Sequence, residues 1–116
     1  MAHGAIMSMA LEIADELEAG GASVSVVNVH TLKPIDREGI ARNLKNHARV
    51  VVIEEHAPIG GLATHAKSIA WDERAMCDLK VFTLADEFIH CYGSHDELRA
   101  AHGLGKEHIL GELRKS

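Results

Sequence analysis

Apolar residues recur through the first twenty positions with the spacing of an amphipathic helix. They fall at intervals of three and four residues, at Ile6, Met9, Ala10, Ile13, Ala14 and Leu17. This spacing places apolar side chains on one helix face, and the paired Gly20 and Gly21 predict the end of the helix. The next apolar run, VSVVNV at 24–29, predicts a short, mostly buried strand.

A second helix and a second strand follow. Pro34 and Asp36 predict the helix start, with Asp36 as the cap and Ile35 and Ile40 placed for a hydrophobic staple. This helix should run to about residue 47. The run RVVVIEE at 49–55 is nearly all β-branched, which is typical of a strand covered on both faces.

The alternation continues to the carboxyl end. Gly60 and Gly61 allow a tight turn before a third helix, whose inner face is formed by Leu62, Ala66, Ile69 and Ala70. LKVFTLA at 79–85 predicts another strand. Ser94 and Glu97 have the spacing of a capping box and predict a short helix at 95–102, and a last helix is expected at about 105–114.

The order of these elements predicts an α/β fold. Connections too long for hairpins favour a mainly parallel sheet of about four strands in a three-layer α/β/α arrangement. We expect one domain over residues 1–116. Its first residues, MAHG, resemble the end of a strand whose beginning is not in the sequence.

Composition narrows the range of partners and compartments. The 116 residues carry 17 acidic and 12 basic side chains, a net charge of −5, so we expect neither nucleic acid nor membrane surfaces as partners. Cys77 and Cys91 lie far apart, which suits reduced thiols better than a disulfide scaffold. The amino terminus has neither the basic start of a signal peptide nor a long apolar span. These features favour a cytoplasmic protein.

Five sequence elements follow one another along the chain. They are Gly4; Lys33, Pro34, Ile35 and Asp36; Glu54, Glu55 and His56; Gly60 and Gly61; and the closing residues Asp86, Phe88, Gly93, Glu97, Leu98, Gly103, Leu104 and Ile109. Their order resembles that of the carboxyl-terminal domain of transketolase-type, thiamine-diphosphate-dependent enzymes, which is a strand ending in glycine, a Lys-Pro-Leu-Asp turn, a strand ending in Glu-Glu, a glycine pair and a closing pattern. The resemblance spans essentially the whole chain. It does not separate transketolase from deoxyxylulose-phosphate synthase or the 2-oxoacid dehydrogenase beta subunits.

The resemblance implies an assembly role for this domain. In the family, thiamine diphosphate and magnesium lie between two other domains, and the carboxyl-terminal domain contributes packing and dimer contacts. The chain has no G-D-G motif followed by asparagine, the family's usual magnesium and diphosphate signature. We therefore assign no catalytic or cofactor-binding residue and expect the isolated chain to be inactive. Its expected partners are a second copy of itself and the thiamine-binding domains of a parent enzyme.

Glu54, Glu55 and His56 also permit a chemical interpretation, because ligands often bind at the carboxyl ends of parallel strands. Neighbouring strand residues point to opposite faces, so the three side chains cannot all converge on one ligand. We favour a structural interpretation, in which one glutamate caps or pairs with a nearby helix start or a subunit and another is solvated. Gly60 and Gly61 are likewise expected to form a structural turn in preference to an anion site.

The histidines provide an alternative function of another class. His3, His30 and His56 are each expected at the carboxyl end of a strand and could form a zinc or nickel site. None has the short ligand spacing of a specific metal motif, and isolated surface histidines are the favoured interpretation. The alternative to an assembly domain is thus a free-standing metal- or small-ligand-binding module. We predict that Trp71 belongs to the core or to an interface.

Overall fold

The computed structural model describes residues 1–2, 6–29, 35–55, 61–83 and 104–115. These ranges contain four helices and two strands: α1 (Met7–Ala19), α2 (Arg37–Asn46), β1 (Arg49–Ile53), α3 (Leu62–Asp72), β2 (Asp78–Phe82) and α4 (Lys106–Arg114). Each predicted element within the described ranges is present except the strand at 24–29. The predicted helix at 95–102, with Ser94 and Glu97, lies outside the described residues.

The described strands form a parallel pair. β1 and β2 are in register from Arg49 opposite Asp78 to Ile53 opposite Phe82. A parallel sheet within an α/β fold is therefore confirmed, whereas a sheet of four strands is not, because the described residues contain two strands.

The segment at 24–29 explains this difference in strand number. In this segment Asn28 makes a single parallel bridge, with Ala2, and Ala2 makes a second parallel bridge with Ile53. Residues 1–2 thus lie between the 24–29 segment and β1. Among the described residues these are single bridges and not a ladder, so apolar composition at 24–29 is not enough to produce a regular strand.

The apolar side chains form two clusters, one on each face of β1. Alternate strand residues point to opposite faces. Val50 and Val52 pack with α2 and α3, in a cluster that includes Ile40, Leu44, Leu62, Ala66 and Ile69. Ile53 and the half-buried Val51 pack with α1 and α4, in a cluster that includes Ile6, Ile13, Leu104, Ile109, Leu110 and Leu113. Helices therefore cover β1 on both sides.

Trp71 does not belong to this core. Its surface is 85% exposed, whereas Ile69, two positions earlier in α3, is 2% exposed. Two residues correspond to about 200° of helical rotation, which turns Trp71 away from the buried stripe. Of the two positions predicted for Trp71, the core position is therefore wrong, and the interface position stays a prediction. None of the described helices is long and apolar enough to cross a membrane.

Candidate functional site

Glu54 lies where β1 ends and its side chain turns back into the protein. Its backbone N–H donates to the Phe82 carbonyl at 2.9 Å, which continues the pairing of β1 with β2. The residue is 3% exposed, the one buried charged or polar residue in the described part of the chain. A carboxylate at this depth needs partners that compensate for the water it has lost.

The partners of this carboxylate are the first backbone groups of α3. Glu54 Oε1 accepts the N–H of Ala63 at 3.1 Å, and Oε2 accepts the N–H of Leu62. These donors belong to the first turn of the helix, where backbone N–H groups have no partner within the helix. The negative charge also complements the positive end of the helix dipole. Glu54 therefore caps α3 from another secondary-structure element.

Gly61 provides the space that this cap requires. A Cβ at position 61 would lie 2.7 Å from Glu54 Oε1 and would collide with Oε2 as well. The backbone of Gly61 is extended, with φ −110° and ψ −157°, so any residue could adopt its conformation. Glycine is required here for the close approach of the carboxylate, and not for an unusual backbone angle.

Asp36 performs a similar task at the start of α2. Its Oδ1 accepts the N–H of Gly39 at 3.0 Å, and its backbone carbonyl accepts the N–H of Ile40 at 3.1 Å. Unlike Glu54, Asp36 is exposed. Two of the family-motif acids, Asp36 and Glu54, thus cap two different helices, and Glu55 is half-buried beside Glu54.

The remaining residues predicted for a site fall in parts of the chain that the structure does not describe. Pro34 and Gly60, like the proposed metal ligands His3, His30 and His56, lie outside the described residues, so the metal-site prediction is untested. Within the described ranges, no group of three or more His, Cys, Asp or Glu side chains could hold a metal ion.

A groove beside β1 was not predicted from the sequence. It has a volume of about 250 Å³ and is bounded by the 22–27 segment, the first half of β1, Met1, α1 and parts of α2 and α4. Met1 lines this groove, and its α-ammonium donates to the Val51 carbonyl at 2.6 Å. Burial lowers the pKa of this ammonium from 8.0 to about 6. The strand-like MAHG start was the one signal in the sequence that pointed to this place.

The chain matches the family model described as "Transketolase, C-terminal domain" over residues 1–109. The chain belongs to this family. It is 33% identical over 115 residues to 1-deoxy-D-xylulose-5-phosphate synthase of Heliobacterium modesticaldum, and 35% identical over 115 residues to 1-deoxy-D-xylulose-5-phosphate synthase 2 of Geobacter sulfurreducens. These alignments cover 99% and 98% of this chain and 18% of each relative. The chain thus spans about a fifth of the length of these relatives.

A solved structure has the same fold. The protein titled "Split gene transketolase, inactive beta4 tetramer" matches with a TM-score of 0.80 and 30% sequence identity. The match covers 98% of this chain and 37% of that chain. The resemblance to the transketolase carboxyl-terminal domain that was stated from sequence motifs is therefore confirmed.

Proposed function

We propose that this chain is a non-catalytic assembly domain or subunit of a thiamine-diphosphate-dependent enzyme of the transketolase type. The observation that carries the proposal is the capping of α3 by Glu54. The family's Glu-Glu motif lies at the carboxyl end of β1, where a catalytic carboxylate would be expected. Both oxygens of the Glu54 carboxylate, the first of the pair, instead accept backbone N–H groups of α3. A carboxylate held in this way is suited to fixing the position of a helix.

The parent activity proposed is that of a 1-deoxy-D-xylulose-5-phosphate synthase or a close relative, because the two relatives compared above carry that name. In such a parent, thiamine diphosphate would supply the carbanion chemistry and a magnesium ion would hold its diphosphate. The described residues of this chain do not fit these groups, since they offer no cluster of metal-ligating side chains. No step of the reaction is therefore assigned to them.

A titration tests the non-catalytic part of the proposal. Thiamine diphosphate with magnesium is titrated into the chain by calorimetry, and no saturable heat is expected. Binding in the micromolar range, equivalent to about 8 kcal/mol, would contradict the proposal. A full-length 1-deoxy-D-xylulose-5-phosphate synthase measured in the same buffer serves as the positive control.

Sedimentation equilibrium tests the assembly part. We propose that the chain forms a homodimer, because an assembly domain presents surfaces to its own copy or to neighbouring domains and two-fold dimers are the commonest arrangement. Across a concentration series, the expected mass is twice 12.6 kDa. A mass of 12.6 kDa that persists at high concentration would contradict homodimer formation.

A further inference from the structure

The end of α3 and the turn after it hold two large apolar side chains in solvent. Trp71 is 85% exposed and Met76 is 95% exposed. Leu11 and Val26, the other large apolar side chains exposed in the described part of the chain, are 50% and 38% exposed. Single apolar residues are ordinary on a protein surface, so the exposure of Trp71 indicates a partner only together with the charges around it.

The two acidic side chains that follow Trp71 are paired with bases of α2. Arg37 donates to the Asp72 carboxylate at 3.2 Å, and the Lys45 ammonium lies 3.8 Å from the Glu73 carboxylate. Exposed pairs of this kind contribute little to stability, but they neutralise the negative charge at the end of α3. A second molecule that approaches Trp71 is therefore not repelled by unpaired carboxylates from these two positions.

Lys67 and Arg74 provide positive charge on either side of Trp71. Both are exposed, and neither forms an ion pair with another residue that the structure describes. They lie four positions before Trp71 and three after it, a spacing that places all three residues on the same side of α3 and its C-terminal turn. With a rise of about 1.5 Å per residue, the two bases are about 10 Å apart along the helix axis.

Arg74 occupies a backbone position that favours glycine. Its φ is +52°, the one positive value at a non-glycine residue in the described ranges. Its N–H donates to the Trp71 carbonyl, and the N–H of Ala75 donates to the Ala70 carbonyl, which is the Schellman arrangement at a helix end. Glycine is the usual residue here, because a Cβ makes the left-handed conformation unfavourable. An arginine at such a position indicates that its side chain has a function that offsets this cost.

These features together determine the chemistry of a partner. Trp and Arg are the residue types that most often dominate the binding energy of protein interfaces. A helix with acidic residues seven positions apart and an apolar residue between them offers carboxylates at the separation of the two bases and an apolar contact for Trp71. A membrane fits less well, since anionic lipid is usually recognised by clusters of about four to eight bases.

We propose that Lys67, Trp71 and Arg74, together called the Trp71 surface, bind an acidic amphipathic helix of a partner polypeptide. Trp71 packs on the apolar stripe of that helix, and the two bases pair with carboxylates on either side of it. The proposal deepens the assembly role and rests on the proposed function for the nature of the partner. It is tested separately: a monomeric mass in sedimentation, or thiamine diphosphate binding, would leave the Trp71 surface standing.

The test uses tryptophan fluorescence, because Trp71 is the one tryptophan of the chain. The probe is the peptide acetyl-AQQAEAALLAAEAQQA-amide, whose two glutamates and two leucines share one helix face. The control acetyl-AQEAQAALLAAQAEQA-amide has the same composition with the glutamates on the opposite face. Circular dichroism of both peptides checks that they have the same helical content.

The probe should bind in the submillimolar range, shift the Trp71 emission to shorter wavelength and protect it from acrylamide. It should bind about fivefold more tightly than the control, since the control cannot pair with both bases, and its affinity should fall as salt is added. Equal binding of the two peptides, or no saturation at millimolar peptide, would overturn the proposal.

Variants at position 74 separate binding from folding, with urea denaturation as the measure of stability. Arg74→Gly should preserve or raise the free energy of unfolding, because glycine adopts this conformation readily, and should still weaken binding about threefold. Arg74→Lys should keep most of the affinity. If Arg74→Gly bound the probe as well as the wild type does, the argument from the arginine would be wrong and the proposal would fail.

A double charge reversal tests both bases, and anisotropy of labelled probe measures it. Lys67→Glu with Arg74→Glu should weaken binding about tenfold or more, as like charges then meet. Arg114→Glu with Lys115→Glu is the matched control, because α4 packs on the other face of β1 from α3. Trp71→Ala should also lose about tenfold in affinity. Equal affinities of the two double variants would overturn the proposal.

Two further measurements identify a different occupant of the Trp71 surface. An emission shift that grows with protein concentration in the absence of peptide would assign the surface to a second copy of this chain. A shift with vesicles of phosphatidylserine and phosphatidylcholine in equal parts, with no response to the probe, would assign it to a membrane. Either result would overturn binding of a partner helix.

Discussion

A hydrogen bond of 3.1 Å joins the carboxylate of Glu54, where β1 ends, to the backbone N–H of Ala63 in the first turn of α3. The backbone N–H of Leu62 donates to the same carboxylate. Together the two hydrogen bonds hold the start of α3 against the end of β1. Leu62 and Ala63 are both buried, so water does not replace the carboxylate easily.

Replacement of Glu54 should therefore destabilise the fold. Glu54→Ala leaves two buried N–H groups without their acceptor, and each such loss costs about 1–3 kcal/mol. We expect the free energy of unfolding, measured by urea denaturation, to fall by about 2–6 kcal/mol for the two groups together. Glu54→Gln keeps one acceptor oxygen and should show a smaller loss.

Glu38→Ala provides the matched control, because Glu38 is an exposed acid in the first turn of α2. Exposed helix-dipole interactions contribute about 0.3–1 kcal/mol, so this variant should stay close to the wild type. Equal losses for Glu54→Ala and Glu38→Ala would show that the buried cap has no special importance.

Position 61 should be coupled to position 54. Gly61→Ala places a Cβ against the Glu54 carboxylate and forces it away from its donors. In the wild-type background we expect a loss of about 1–3 kcal/mol, the cost of disrupting buried hydrogen bonds. In a Glu54→Ala background the same change should cost much less, since the obstructing group is gone. A double-mutant cycle by urea denaturation measures this coupling.

Gly111→Ala is the control for this cycle. Gly111 lies inside α4, and a Cβ there would meet no atom of the described structure within 4 Å. Because alanine is a better helix former by about 1 kcal/mol, this variant should be stabilised. Additive losses at positions 54 and 61 would contradict the proposed steric link between them.

Asp36 should behave as an ordinary helix cap. Asp36→Ala removes the acceptor for the Gly39 N–H, and such losses cost about 0.5–2 kcal/mol. Asp36→Asn keeps an equivalent acceptor and should change the unfolding free energy little. If thermal denaturation showed the two variants equally destabilised, the charge of Asp36 and not its hydrogen bond would be the important feature.

Local sequence patterns predicted these elements and caps because each depends on neighbouring residues. Asp36 lies three positions before its donor, and the pattern alone located the cap. For Glu54, the capping interpretation was one of two alternatives, since the sequence does not show that residue 54 reaches residues 62 and 63. The strand expected at 24–29 failed for a related reason: a strand depends on a partner that is distant in the sequence, and in the described part of the chain this segment makes a single bridge, to Ala2. Trp71 shows that apolar character does not locate a residue on a helix face.

The buried amino terminus makes a last prediction about pH. Burial lowers the pKa of the Met1 ammonium from 8.0 to about 6, so between these values the unfolded chain binds more protons than the folded chain. Stability must then rise with pH across this window. The contribution is fully present above pH 8 and is lost as the pH falls through 6. A shift of two pKa units corresponds to about 2–3 kcal/mol.

Acetylation of the amino terminus separates this effect from the titration of the nine histidines. The acetylated chain has no ammonium, but its amide N–H can still donate to the Val51 carbonyl. Urea denaturation of both forms at pH 5.5 and 8.5, with Met1 confirmed by intact mass, gives the difference in unfolding free energy at each pH. At pH 5.5 the acetylated form should exceed the free form in unfolding free energy by about 2 kcal/mol more than it does at pH 8.5. The reason is that acetylation removes the cost of desolvating the ammonium. The same pH dependence in both forms would show that the Met1 ammonium is not buried in the folded chain.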